Sequence, residues 1–155
     1  MNGNGIERGS IPETLDERLM RRDTRPLPEE ALARFQYISR GKSPRRNYRW
    51  LLYDDGRFYL ARHTSETGDW QTPFDTPLPD EPTDKLGWWQ RRKVRQALEQ
   101  SDFMNQAPYQ EDTNVRDGAY YVVTVRRDGR EHEVIYVAMT PPPVDELIQL
   151  AAEYE

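Results

Sequence analysis

Gly118-Ala-Tyr-Tyr-Val-Val-Thr-Val-Arg-Arg-Asp-Gly-Arg-Glu-His-Glu-Val-Ile-Tyr-Val137 is the stretch whose reading decides the fold. Two runs rich in β-branched and aromatic residues flank Asp128-Gly129, and an Asp-Gly pair suits a two-residue turn in which both residues take φ > 0. With those two residues as the loop, Arg126 faces Glu131, Val125 faces His132, Val123 faces Val134, Val122 faces Ile135 and Tyr121 faces Tyr136. Opposite charges meet near the turn and apolar pairs lie beyond it. Three prolines, 141–143, then stop the strand. After them Val144, Leu147, Ile148 and Ala151 fall at helical spacing. The unit is strand, turn, strand, helix.

The same grammar recurs upstream. Tyr48-Arg-Trp-Leu-Leu-Tyr-Asp54 and Arg57-Phe-Tyr-Leu-Ala-Arg-His63 flank Asp55-Gly56. A two-residue loop there sets Tyr53 against Phe58, Leu52 against Tyr59 and Leu51 against Leu60. Large apolar residues on both faces point to a covered ribbon. Before it, Arg34–Ser39 reads as a strand with Phe35 and Tyr37 on one face and Ile38 on the other. Asp84–Ser101 reads as a helix that turns Leu86, Val94, Ala97 and Leu98 to the sheet, with Phe103 pinning its end. The expected fold is α+β, an antiparallel sheet of about five strands backed by two helices in the order βββαββα, with no parallel pair.

Residues 1–32 are polar and punctuated by Gly and Pro, and read as a mobile arm ahead of one domain at 33–155. Within the arm, Ser10-Ile-Pro-Glu13 has the form of a capping box and predicts a short helix at 11–22. Ile11, Leu15 and Leu19 would form its apolar stripe, packing on its own domain or, through Leu15 and Leu19, docking a partner. Residues 64–85 form a long connection holding Trp70 and Phe74, which serve either as core anchors or as a binding surface.

Composition narrows function. Net charge is −5, 35% of the 155 residues are hydrophobic and 32% are charged. That balance argues against a dedicated nucleic-acid binder. Cysteine is absent, so there is neither a disulfide frame nor a thiolate zinc site. No apolar run suits a signal peptide or a membrane span, and a cytoplasmic protein is expected. The two histidines, His63 and His132, have no metal-ligand spacing. No serine stands in a nucleophile elbow, and Gly41-Lys42-Ser43 lacks the leading glycine of a phosphate loop. No enzyme, no metal and no cofactor is the reading.

Basic residues gather twice. Arg40, Lys42, Arg45, Arg46 and Arg49 cluster around one turn, while Arg91, Arg92, Lys93 and Arg95 follow Trp88 and Trp89. Aromatics among basic residues suit single-stranded nucleic acid, and they equally suit an acidic protein surface. The expected function is a non-enzymatic protein-binding module. Its candidate contacts are Arg40, Lys42, Arg45, Arg46, Trp70, Phe74, Trp88, Leu15 and Leu19. A nucleic-acid-associated module and an accessory subunit of a larger complex are the alternatives.

Residues 86–154 also resemble the emfourin family of small proteins. The likeness rests on Ala97-Leu-Glu-Gln-Ser-Asp-Phe103, a Pro-containing loop, Tyr120-Tyr-Val-Val-Thr-Val125, Gly129-Arg130, His132, Val134 and a proline-led last helix. Residues 34–63 would supply the family's opening strands. The adjacent glycines usual there are replaced by Ser39-Arg-Gly-Lys-Ser-Pro44 and a longer hairpin. What the resemblance implies is inhibition of thermolysin-like metallopeptidases, so that a metallopeptidase is the expected partner.

Overall fold

In the computed structural model, which describes residues 5–40, 47–63, 76–116, 118–141 and 143–154, one sheet carries almost every element. Among the described residues there are eight strands, β1 (Ile6–Gly9), β2 (Ala31–Ile38), β3 (Tyr48–Tyr53), β4 (Arg57–Arg62), β5 (Asp84–Lys85), β6 (Tyr109–Asp112), β7 (Tyr120–Arg127) and β8 (Arg130–Val137). The helices are α1 (Glu17–Met20), α2 (Trp88–Gln100) and α3 (Val144–Ala152), with a 3-10 turn at Phe103–Asn105. Across the sheet the order is β1-β6-β8-β7-β2-β3-β4-β5.

The β7–β8 hairpin has the register its turn chemistry dictates, from Arg126↔Glu131 through Tyr121↔Tyr136. Asp128 and Gly129 have φ of 51° and 75°, the pair of left-handed residues that a two-residue loop needs. The second Asp-Gly behaves differently. Leu52 pairs with Phe58, Leu51 with Tyr59 and Trp50 with Leu60, one place away from the expected register. Only Gly56 of that loop has positive φ, at 99°, and its N–H donates to Tyr53 O at 3.0 Å. The loop therefore has three residues, Asp54 to Gly56, a turn closed by a left-handed glycine. The slip sends Trp50, Leu52 and Phe58 into one core together.

The expectation of five antiparallel strands and two helices is overturned by eight strands in a mixed sheet and three helices. The additional strands β1, β5 and β6 are only four, two and four residues long. Their sequences, Ile-Glu-Arg-Gly, Asp-Lys and Tyr-Gln-Glu-Asp, carry no alternation long enough to read, and pairing with distant chain makes them strands. β6 lies parallel to β8, Tyr109 opposite Ile135, so a parallel pair is present after all. The helix expected at Asp84 begins at Trp88, because Asp84 and Lys85 pair with Phe58 and Arg57 instead.

Both faces of the sheet are covered. On one, α2 and α3 pack Val94, Leu98, Val144, Leu147 and Ala151 over Phe35, Trp50, Phe58, Val123 and Tyr136. Beyond β1, residues 11–27 lie across the other face. There Leu19 packs with Ile38, Val122, Ile135 and Val137, and Leu27 packs with Ala31 and Leu51. The expected helix at 11–22 is reduced to Glu17–Met20, capped by Asp16 accepting from Arg18 N at 2.8 Å, rather than by Ser10. Between the two apolar clusters of this face runs a polar belt built from Arg34, Gln36 and Glu133. Gln36 is fully buried and holds the arm like a strand partner: its amide donates to Asp23 O at 3.0 Å and accepts from Asp23 N at 2.9 Å. No helix among the described residues is long and apolar enough to cross a membrane.

Candidate functional site

α2 is anchored from within. Gly87 precedes it, and Gln90 Oε1 accepts from Gly87 N at 3.1 Å. Val94 and Leu98, four apart, face the sheet, and at roughly 100° per residue Trp89 points away from them. Trp89 is 73% exposed and Trp88 52%. Their rings meet edge-to-face at 4.7 Å, and the Arg92 guanidinium lies 5.1 Å from the Trp88 ring. Arg91 donates to Asp54 O and Arg95 pairs with Asp54 at 3.6 Å, so these two tie the helix to its own domain. Arg92 and Lys93 stay exposed, one helical turn on from Trp88 and Trp89. A rigid apolar pair edged by cations is the result, in a chain that is acidic as a whole.

The second feature lies on the opposite face of the sheet. Asp23, Arg25, Arg34 and Arg49 line a cleft of about 420 Å³, with Pro77 and Leu78 on its far wall. Arg34 is on β2 and Arg49 on β3, and both side chains are largely buried, 6% and 13% exposed. Asp23 gives its best bonds to Arg25, which donates from Nε at 2.9 Å and Nη2 at 2.8 Å. Arg34 and Arg49 stand off from the same carboxylate at 3.8 and 3.6 Å. Burial opposes the charge on Asp23, yet the hydrogen bonds from Arg25 and the field of Arg34 hold its pKa down to about 2. Burial pushes Arg34 and Arg49 below the ordinary guanidinium value.

Of the four expected contact residues that are described, Leu15, Leu19 and Arg40 gather at the cluster that contains Tyr120, and Trp88 lies apart. Trp88 is on α2, whereas Leu15 and Leu19 pack under the arm on the other face, with Leu19 buried. Arg40 stacks over Tyr120 at 4.7 Å within its own chain. Lys42, Arg45, Arg46, Trp70 and Phe74 lie outside the described residues. Asp23, Arg25 and Arg34 were not among the candidates. One signal for them was available: Arg34 and Gln36 interrupt a strand that is apolar on both sides, and buried polar residues in such a strand need partners.

Comparison with known proteins finds no matching family model, no matching curated protein and no matching solved structure, so the likeness to emfourin rests on the quoted residues alone.

Proposed function

We propose that the protein is a non-enzymatic binding module that docks an acidic protein surface against the head of α2. The carrying observation is the exposed Trp88–Trp89 pair with Arg92 and Lys93 at its edge. Trp and Arg dominate interface energetics, because a large rigid ring buries area at little entropic cost and a guanidinium finds carboxylates. Exposed neighbouring cations favour an acidic partner and speed encounter with it. The emfourin likeness includes α2 and directs the first trial to thermolysin-like metallopeptidases.

The test titrates the protein against a bacterial thermolysin-type peptidase, following residual activity and direct binding. Stoichiometric inhibition with the chain uncleaved, lost in Trp88→Ala and Trp89→Ala variants of unchanged Tm, supports the proposal. Inhibition that both variants retain moves the interface off α2. Absence of both binding and inhibition removes the metallopeptidase as partner. The same patch has a nucleic-acid reading, and a single-stranded oligonucleotide whose binding weakens steeply with salt would replace the protein partner with it.

A further inference from the structure

We infer that the cleft around Arg34 is a second binding site, independent of α2, for a small acid: an oxyanion head received by Arg34 in the field of Arg49, and an apolar body lying against Pro77 and Leu78. The charge arrangement carries this. Among the described residues Arg25, Arg34 and Arg49 line the cleft with Asp23 as its one carboxylate; Asp23 is already engaged by Nε and Nη2 of Arg25, and Arg49 donates to Thr76 O at 3.2 Å. The neighbouring acids are committed elsewhere. Glu133 holds Arg22 through two bonds at 2.9 and 3.1 Å, and Glu131 accepts from Leu27 N at 2.9 Å and pairs with Arg126.

Arg34 is the loosely held charge of the belt. Its Nε has no hydrogen-bond partner among the described residues, and its ion pair with Asp23 is long, although the side chain is 6% exposed. A buried guanidinium held this loosely is costly to the fold unless a well-placed oxyanion completes it. The planar fork suits carboxylate and phosphate alike. The walls supply the rest of the recognition, since Leu51, Pro77 and Leu78 give apolar surface next to the charge. Roughly 300–1,000 Å³ is the usual size of small-ligand clefts, and this one falls inside that range.

Calorimetric titration of the full chain at low ionic strength with phenylacetate, phenyl phosphate and inorganic phosphate tests the inference. Saturable binding of either aromatic acid is expected, and the tighter of the two names the head group. Inorganic phosphate is expected to bind at least ~10-fold more weakly, lacking the body that meets the walls. Asp23→Asn removes the competing charge and should tighten binding roughly tenfold. Arg25→Ala, at a side chain 75% exposed, releases Asp23 onto Arg34 and should weaken it. Arg49→Gln should weaken it as well. No saturable binding of any probe at ~10 mM, inorganic phosphate equal to phenyl phosphate, or Asp23→Asn and Arg25→Ala shifting affinity in the same direction would each overturn the inference. Trp88→Ala should leave all three titrations unchanged, which separates this site from the one on α2.

Discussion

Asp23 shows how one side chain ties sequence, packing and pH together. Its folded pKa, about 2, is below the ordinary carboxylate value of 3.8, so the folded state favours the ionised form. Stability from this source is fully present above pH ~4 and is lost as pH falls toward 2, because the unfolded chain takes up the proton first. The contribution is on the order of 2 kcal/mol for a largely buried carboxylate. Urea midpoints of the wild type and Asp23→Asn, measured at pH 5 and pH 2.5, should differ clearly at the higher pH and approach each other at the lower. A constant gap would mean that Asp23 acts only through shape. Little of this was legible in advance. Asp23 stands in a stretch of polar and Pro residues with no periodicity, and its partners Arg34 and Arg49 come from strands that the sequence shows only as apolar runs.

The two Asp-Gly turns make the case at the level of elements. The dipeptide is the same, yet Asp128-Gly129 closes a two-residue loop and Asp54-Asp55-Gly56 a three-residue one. Cross-strand packing decides between them: the observed register puts Trp50 and Phe58 side by side, with ring centroids 5.6 Å apart, under α3. Local turn chemistry fixes a hairpin where nothing opposes it, and core volume overrides it where large rings must share a face. The glycines differ accordingly. A Cβ at Gly56 would sit 2.4 Å from Leu86 O as well as at a φ of 99°, whereas one at Gly129 meets nothing within 4 Å. Gly129→Ala should cost ~1–2 kcal/mol from its left-handed backbone alone, and Gly56→Ala clearly more, read as the difference in chemical-unfolding midpoints. Equal losses would show that the Gly56 loop relaxes away from Leu86. The long strands and α3 were readable for the same reason that β1, β5 and β6 were not. Eight residues of alternation carry a signal that two or four polar residues cannot.

At the scale of the whole molecule, the sheet is hydrophobic on both faces and needs a cover on each. Helices α2 and α3 supply one, and residues 11–27 supply the other through Leu19 and Leu27. Deleting residues 1–22 removes Leu19 and the Arg22–Glu133 pair and uncovers Ile38, Val122, Ile135 and Val137. Such a chain should bind a hydrophobic dye and self-associate in analytical ultracentrifugation, whereas an unaltered monomer would show that the sheet face is covered without that segment. The arm's composition hid this role, because a few well-spaced leucines among charged residues suffice when the surface they meet is already built.

Placement of the arm also sets a timetable. Ile6 pairs with Asp112, Arg22 with Glu133, and Leu27 N–H with Glu131, so a segment synthesised early rests on one synthesised much later. Contacts this far apart in sequence close slowly, since loop entropy is spent before they give anything back. Until β6 and β8 have left the ribosome the arm has no seat. The nascent sheet must pass through an interval with one apolar side bare, when a chaperone would find the most to hold.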